Sequence, residues 1–181
     1  WDRFAVMGIS FGGMVAQEFA VTVPARVERL ALLCTSPGGA GGSSYPLHEL
    51  RSMTAEERAA VSMTIMDTRF TPEWLETHPA DRMFVEGIRG DYGSEPGSEA
   101  ERGEIEQLLA RRSHDVWDRL PSITAPTLVA AGRYDGIAPL ANSEAIAERI
   151  PGAVLRVYEG GHGFFAQDPT AFPEVIEFLR G

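Results

Sequence analysis

The sequence Gly8-Ile9-Ser10-Phe11-Gly12-Gly13 joins a short apolar run to a helix-forming run. Residues 3–8 are typical of a buried strand, and residues 12–22 are typical of a helix that ends before Pro24. A serine between glycines at such a junction predicts a tight turn that leaves no room for side chains on its neighbours. We therefore expect this turn to expose the Ser10 hydroxyl at the carboxyl end of a strand.

The Ser10 hydroxyl is a candidate nucleophile. Serine hydroxyls are weak nucleophiles near neutral pH, so this role requires a histidine as base and a carboxylate that orients it. The backbone N–H of Phe11, at the start of the predicted helix, would point at negative charge that develops on a carbonyl oxygen beside Ser10. Phe11 is therefore predicted to supply one donor of an oxyanion hole. An ordinary glycine–serine turn gives the same local pattern, so the assignment of Ser10 as a nucleophile depends on whether the downstream sequence supplies a histidine and a carboxylate.

Two later loops supply the carboxylate and the histidine. Residues 126–131 predict a compact apolar strand, which runs into a turn with Asp135 at its tip. Residues 153–158 alternate in polarity as a strand does and run into a glycine-rich loop that carries His162. We expect a carboxylate oxygen of Asp135 within about 3.2 Å of one ring nitrogen of His162, with the imidazole turned towards Ser10.

Other residues fit these roles less well. Residues 30–39 comprise most of a further predicted strand and the loop after it but contain no carboxylate, which leaves Asp135 as the preferred acid. The remaining histidines follow no predicted strand and are expected to be solvated or to cap helices; they are His48, His78 and His114. Three further acids are expected at helix surfaces or helix caps, namely Asp115, Asp118 and Asp168.

The chain order Ser10, Asp135, His162, with a strand before each residue, resembles that of the α/β-hydrolase family. The resemblance implies an α/β fold with a doubly wound, mostly parallel sheet that carries helices on both faces. It also implies that Ser10 attacks a carbonyl carbon and that His162 accepts and later returns the proton. Asp135 would hold the imidazole in the required tautomer.

The same resemblance predicts how the chain is organised. The core comprises residues 1–36 and 121–181, and residues 37–120 form a helical cap, because a structureless loop of that length is uncommon inside a domain. The predicted strands are 3–8, 28–34, 126–131 and 153–158, and the predicted helices are 12–22, 54–66, 72–88, 101–118, 140–150 and 170–180. Residues 91–99 are expected to be mobile or exposed to solvent.

The family pattern further implies strands that this sequence does not contain. Family members place several strands before the one that leads to the nucleophile, and a loop among them carries the second oxyanion donor. The chain is therefore expected to be the C-terminal portion of a larger enzyme. Strand 3–8 is then expected at a sheet edge, where it pairs with a second copy in a homodimer or with an N-terminal half.

The motifs are most similar to the branch of the family that contains esterases, 3-oxoadipate enol-lactonases and cofactor-free haloperoxidases. This similarity implies a serine hydrolase that cleaves an ester or lactone carbonyl in a small, largely apolar substrate. A carbon–carbon bond hydrolase acting on diketones, a haloperoxidase-type enzyme and a non-catalytic binding module or inactive fragment stay open as alternatives. No metal or organic cofactor is expected, because the His, Cys and acidic residues show no ligand spacing.

Composition excludes some classes of partner. The net charge of −10 argues against binding to nucleic acid or to an anionic membrane. No run of about 18 apolar residues occurs, so no membrane-spanning segment is expected. A cytoplasmic location is expected. Cys34 is the only cysteine and cannot form an internal disulfide, so we expect it to be a small buried apolar residue.

Overall fold

The computed structural model describes residues 1–88 and 97–181. Four strands form one parallel sheet in the order β1-β2-β3-β4, and they are β1 Phe4–Ile9, β2 Val27–Leu33, β3 Thr127–Gly132 and β4 Val154–Tyr158. The α-helices are α1 Phe11–Thr22, α2 Ala55–Met66, α3 Pro72–Thr77, α4 Pro79–Ile88, α5 Glu99–Arg112, α6 Leu140–Arg149, α7 Phe164–Gln167 and α8 Ala171–Arg180. Short 3-10 turns occupy Pro24–Arg26, Gly39–Gly41, Leu47–Ser52 and Trp117–Ser122.

Helices cover both faces of the sheet, because successive residues of a strand point to opposite sides. In β2, Leu30 and Leu32 pack with α1 and α6 on one face, and Ala31 and Leu33 pack with α7 and α8 on the other. All six residues of β3 are buried, as expected for an interior strand of a parallel sheet. The predicted α/β architecture is confirmed.

The register of the strands aligns their carboxyl ends. Ile9 pairs with Leu33 and Leu33 with Ala130, and Gly132 at the end of β3 pairs with Tyr158 at the end of β4. The loops that follow β1, β3 and β4 therefore leave the sheet at one edge. This edge is where α/β proteins assemble their sites.

Strand β1 stands at one end of the sheet that the described residues form, as predicted. Its surroundings are apolar and partly open, since Met7 is 38% exposed and Val15 of α1 is 54% exposed. An apolar strand edge of this kind favours pairing with another strand. Pairing of β1 with a second copy of the chain stays a prediction.

The single helix predicted over 72–88 is wrong, because the structure contains two helices there. His78 lies between α3 and α4 with φ −122° and ψ 81°, which is outside the helical region. The residue before a proline is sterically disfavoured in the α region, and Pro79 follows His78 directly. The break therefore has a local cause in the sequence.

The helix predicted over 101–118 is wrong at its C-terminal end. The observed helix, α5, begins at Glu99 and ends at Arg112. The hydroxyl of Ser98 caps it by accepting the N–H of Glu101 at 3.1 Å. Beyond its end, a carboxylate oxygen of Asp115 accepts the N–H of Trp117 at 3.1 Å. Such a local side-chain bond competes with the helical backbone pattern, and a 3-10 turn follows instead.

Residues 37–120, called the insert below, lie between β2 and β3 and contain α2 to α5. Helix α2 begins as predicted, because Thr54 and Glu57 bond reciprocally in a capping box. The function of the insert as a cap stays a prediction. The mobility predicted for residues 91–99 falls mostly on residues outside the two described ranges.

The helices outside the insert agree with the sequence pattern, with one addition. Helices α1, α6 and α8 begin and end within one residue of the predicted bounds. Helix α7 follows the His162 loop and is too short for its periodicity to be detected in the sequence. Within residues 1–88 and 97–181, no helix combines the length and the apolar character needed to cross a membrane.

Candidate active site

Ser10 occupies a strained turn between β1 and α1. Its φ of 54° and ψ of −118° lie in a region that residues other than glycine rarely adopt. The strain is compensated by a hydrogen bond from the Ser10 N–H to the Leu33 carbonyl at 2.9 Å. Gly8 is required beside it, because a Cβ at that position would collide with the carbonyl of Gly12. The turn therefore holds the hydroxyl of Ser10 away from the backbone, as the glycine spacing predicts.

Buried polar residues that the sequence did not reveal form hydrogen bonds with the backbone of this turn. The hydroxyl of Thr35 donates to the Ser10 carbonyl at 2.9 Å. The amide of Gln17 donates to the carbonyls of Gly13 at 3.1 Å and Ser36 at 3.2 Å. Buried hydrogen bonds of this type fix loop geometry, because leaving any of the groups unpaired would be costly.

The three residues singled out by the sequence come together at the carboxyl edge of the sheet. The Nε2 atom of His162 lies 2.9 Å from the Ser10 hydroxyl oxygen, and its Nδ1 atom lies 2.8 Å from a carboxylate oxygen of Asp135. The second distance agrees with the separation expected from the sequence. His162 therefore bridges a hydroxyl and a carboxylate, which is the arrangement needed to deprotonate the hydroxyl. The catalytic roles of the three residues stay predictions.

The Asp135 carboxylate is fully buried, yet both of its oxygens have partners. Oδ2 faces His162, and Oδ1 accepts the backbone N–H groups of Ile137 and Ala138, each at 2.8 Å. These bonds leave the carboxylate little freedom to rotate. The imidazole is consequently held in one orientation, with Nδ1 towards Asp135 and Nε2 towards Ser10.

The backbone N–H of Phe11 lies at the first position of α1. The Ser10 carbonyl accepts the N–H groups of Gly13 and Met14 at 2.9 Å and 3.3 Å, which closes the first turn of the helix. The first N–H groups of a helix have no intrahelical acceptor and point along the axis. The geometry therefore suits the oxyanion-hole role predicted for Phe11, which stays a prediction.

Among the described residues, no other histidine forms a hydrogen bond with the Ser10 or Asp135 side chain. His78 ends α3 as a cap residue, and its ring stacks on Trp74 with a centroid distance of 3.6 Å. His48 is half-buried in a 3-10 turn. His114 differs from the expected solvated or capping role, because its Nε2 atom is buried and has no hydrogen-bond partner among the described residues. Burial lowers the pKa of His114 below its usual value.

The three remaining acids lie at surfaces and helix ends, as expected. Asp115 bonds the N–H of Trp117, as described above. Asp168 accepts the N–H and hydroxyl of Thr170 at 2.9 Å and 2.7 Å, just before α8 begins. Asp118 has a side chain that is 92% exposed beside Arg149. Among the described residues, none of the three forms a hydrogen bond or ion pair with the His162 ring.

Cys34 belongs to a group of three residues with ligand atoms close enough for a metal ion, although the sequence showed no such spacing. Its sulfur lies within 4.8 Å of ligand atoms of Asp135 and His162. Metals bind the thiolate, and burial raises the pKa of the Cys34 thiol far above its usual value. Both nitrogens of His162 already face other partners. A metal ion at this group would have to displace the existing partners of His162. Cys34 is the small buried residue that was expected.

The chain belongs to the alpha/beta hydrolase fold family, whose family model matches residues 1–169. The family resemblance predicted from the order of Ser10, Asp135 and His162 is therefore confirmed. The chain is similar to a poly(3-hydroxyalkanoate) depolymerase of Ectopseudomonas oleovorans, with 29% identity over 99% of this chain and 62% of the depolymerase. It is also similar to 3-oxoadipate enol-lactonase 2 of Acinetobacter baylyi, with 27% identity over 94% of this chain and 61% of the lactonase.

Among solved structures, the chain is similar to a hydrolase from Pseudomonas aeruginosa PA01. The TM-score is 0.75 and the identity is 28%, over 99% of this chain and 66% of the hydrolase. The chain thus spans less than two thirds of the length of each of these three proteins.

Proposed function

We propose that this protein is a serine hydrolase that cleaves the carbonyl bond of a small, largely apolar ester or lactone through an acyl-enzyme. The observation that carries the proposal is the bridge formed by His162 between the Ser10 hydroxyl and the Asp135 carboxylate, at 2.9 Å and 2.8 Å. Ser10 stands on a strained turn at the start of a helix, where a nucleophile is accessible and adjacent N–H groups can stabilise an oxyanion.

The first half of the reaction forms the acyl-enzyme. The Ser10 oxygen attacks the carbonyl carbon while Nε2 of His162 removes the hydroxyl proton, and Asp135 stabilises the resulting imidazolium. Negative charge on the carbonyl oxygen is stabilised by the N–H of Phe11. When the tetrahedral intermediate collapses, the bond to the alkoxy oxygen breaks and His162 gives that oxygen the proton.

The second half of the reaction regenerates the serine. His162 removes a proton from a water molecule, whose oxygen attacks the acyl carbon. The ester bond to Ser10 breaks, and the proton returns from His162 to the serine oxygen. The products are a carboxylic acid and an alcohol, which remain in one molecule when the substrate is a lactone.

An apolar substrate is supported by the side chains that the insert brings towards His162. Phe84 of α4 lies so close to Gly163 that a Cβ on this glycine would be 2.6 Å from the phenyl ring. Near Asp135, Ile137 packs in an apolar cluster with Leu50 and Ile65 of the insert. The name of the enol-lactonase relative supports a lactone among the candidate substrates.

The test compares wild type and Ser10→Ala in the full-length protein. We expect wild type to hydrolyse a short p-nitrophenyl ester and to react covalently with a fluorophosphonate probe, because both reactions require the activated Ser10 oxygen. Ser10→Ala should lose both reactions while it retains the circular dichroism spectrum and melting temperature of wild type.

The outcomes separate the proposal from its competitors. Wild-type turnover in Ser10→Ala would refute the role of Ser10, and the absence of labelling in wild type would favour a binding module. A panel of lactones and a panel of diketones, tested side by side, would reveal a carbon–carbon bond hydrolase as preferred turnover of the diketones.

A further inference from the structure

The segment 65–69 of the insert contacts both the loop between β3 and α6, called the acid loop because it carries Asp135, and the loop between β4 and α7, called the histidine loop because it carries His162. Ser10, Asp135 and His162 together are called the triad below. Three backbone hydrogen bonds make the connection: Gly136 N–H to the Ile65 carbonyl at 3.0 Å, His162 N–H to the Met66 carbonyl at 2.6 Å, and Thr68 N–H to the Tyr134 carbonyl at 2.9 Å. The first and third bonds reach the two neighbours of Asp135, and the second reaches His162 itself. The backbones of the acid loop and the histidine loop are thus both bonded to one short segment.

The two loops approach this segment so closely that only glycine fits at the contacts. A Cβ added to Gly161 would collide with the Met66 carbonyl and would lie 2.6 Å from the Cα atom of Asp67. A Cβ added to Gly136 would lie 2.8 Å from the Ile65 carbonyl oxygen. Backbones packed this closely have no room to shift independently, so movement of segment 65–69 would move both loops.

Asp67, in the middle of the segment, is fully buried and fully hydrogen-bonded. Its Oδ1 accepts the backbone N–H of Arg69 at 3.0 Å and the Nε–H of Arg69 at 2.9 Å. Its Oδ2 accepts from Arg69 Nη2 at 2.7 Å and from the amide of Gln167 at 3.0 Å. The other end of the Gln167 side chain accepts the N–H of Gly161 at 2.9 Å, one residue before His162.

Arg69 extends the connection to the acid loop. Its guanidinium bonds both oxygens of Asp67 and lies over the ring of Tyr134, with its central carbon 4.0 Å from the ring centroid. Tyr134 directly precedes Asp135. The Arg69 side chain is only 19% exposed, and its bonds to Asp67 raise the pKa of Arg69. Paired, stacked guanidinium groups of this type hold their geometry more tightly than an ammonium group can.

We propose that the Asp67–Arg69 ion pair is a positioning device for the triad, which fixes the His162 loop to the Asp135 loop from the insert. The inference rests on the proposed function, because it concerns the rate of the Ser10 chemistry. Neither residue is expected to touch substrate. The pair should therefore govern kcat and leave KM nearly unchanged, since displacement of reacting groups by about 1 Å can slow a reaction by about 100-fold.

The experiment uses Arg69→Lys and Asp67→Asn in the full-length protein, with Arg133→Lys as the matched control. Arg133 lies in the same acid loop and pairs with Glu159 at 3.1 Å, but both side chains are more than half exposed. Lysine keeps the positive charge of Arg69 but cannot bond both Asp67 oxygens or stack on Tyr134 in the same way. Rates with a p-nitrophenyl ester and with a fluorophosphonate probe are normalised to the folded fraction measured by circular dichroism.

We expect kcat and the rate of labelling to fall by about 10- to 100-fold in Arg69→Lys, with KM changed less than about threefold. Asp67→Asn should show an equal or larger loss, because it removes the charge that two guanidinium nitrogens of the largely buried Arg69 bond. Among the described residues, Arg69 would then keep only its 3.8 Å ion pair with the exposed Glu159. Arg133→Lys should match wild type. Unchanged kcat in Arg69→Lys, a loss confined to KM, or a loss explained by unfolding would each overturn the inference.

A second readout separates failure of this inference from failure of the proposed function. The low-field proton resonance of the His162 Nδ1–H reports on its bond to Asp135 even in a protein that hydrolyses nothing. We expect the resonance to shift or broaden in Arg69→Lys and to keep its wild-type form in Arg133→Lys. An unchanged resonance in Arg69→Lys would overturn the inference, whereas lack of reaction with both substrate and probe in wild type would overturn only the proposed function.

Discussion

The sheet and the insert hold their residues in place in different ways. All six residues of β3 are buried, whereas none of the fourteen residues of α5 is. Exposed ion pairs such as Arg102–Glu106, at 3.4 Å, line the surface of α5 and contribute about 0–1 kcal/mol each. The sheet is therefore fixed by apolar packing on both faces, while α5 lies on the surface.

This difference indicates where catalysis should be sensitive to substitution. The candidate catalytic side chains extend from the ends of β1, β3 and β4, so the rigid packing of the sheet sets their positions. The insert reaches the triad loops through the short segment 65–69, largely by backbone hydrogen bonds. We expect substitutions of buried residues in the sheet loops and in this segment to affect the reaction strongly. Substitutions of exposed residues, in those loops or on the outer surface of the insert, should have little effect.

Among substitutions that keep the Ser10 hydroxyl, the largest effect is expected from Asp135→Asn. Oδ1 of Asp135 accepts two backbone N–H groups, so an asparagine would place its oxygen there and its NH₂ group against Nδ1 of His162. Nδ1 would then have to accept, which forces the proton onto Nε2 and prevents His162 from acting as a base towards Ser10. We expect kcat to fall by about 10⁴-fold, as loss of the orienting acid does in related chemistry. Steady-state kinetics with a p-nitrophenyl ester measure this.

The matched control is Asp118→Asn in the insert. Asp118 is the same residue type, but its side chain is 92% exposed and makes a long contact of 3.4 Å with Arg149. We expect kcat and stability to equal those of wild type. If the two variants lost activity to a similar extent, the proposed division between the sheet loops and the insert surface would be wrong.

The strands and the meeting of Ser10, Asp135 and His162 could be predicted because each leaves a local signal in the sequence. Each catalytic candidate follows a short apolar run, and Gly8 and the loop glycines indicate turns where side chains cannot be placed. The break at Pro79 also leaves a signal, but the helical pattern on both sides concealed it. Long apolar periodicity was a poorer guide in the insert, because few of its helical residues are buried.

The support around the triad could not be predicted, because its partners are distant in sequence. Gln167 lies 100 residues from Asp67, and the Thr35 hydroxyl lies 25 residues from the carbonyl of Ser10 that it bonds. Asp67 and Arg69 resemble any exposed pair of charges until the fold buries them. Cys34 likewise becomes a neighbour of Asp135 only because β2 and β3 are adjacent in the sheet.

A pair of leucine substitutions tests the difference in packing directly. Leu128 of β3 is fully buried, and Leu109 of α5 is 52% exposed. Leu128→Ala should lower the free energy of unfolding by about 2–5 kcal/mol, because it removes packed side-chain atoms and leaves a cavity. Leu109→Ala should cost less than about 0.5 kcal/mol. Urea unfolding followed by circular dichroism measures both, and an equal cost would show that α5 packs as tightly as the sheet.

The smallest effect is expected where the two ends of the insert meet, near His114. The N–H of Val116 donates to the Pro37 carbonyl at 3.0 Å, and a Cβ on Gly38 would collide with the carbonyl of His114. His114 is thus held against the segment that follows β2. Burial is the largest effect on the pKa of His114 and lowers it, and the positive charge of Arg119 lowers it further. The negative charges of Glu18 and Asp115 raise the pKa by a smaller amount.

The lowered pKa of His114 predicts the direction in which stability depends on pH. Above the unfolded pKa of about 6.5, the ring is neutral in both states and contributes nothing to the pH dependence. As the pH falls below that value, the unfolded chain binds a proton first, so stability is lost as the pH approaches the lower folded pKa. His114→Gln should therefore lose less stability than wild type between about pH 7.5 and pH 5.5 in urea unfolding. Equal losses in the two proteins, or a His114 ring that titrates at or above about 6.5 by NMR, would show that the contact between the two ends of the insert leaves the ring solvated.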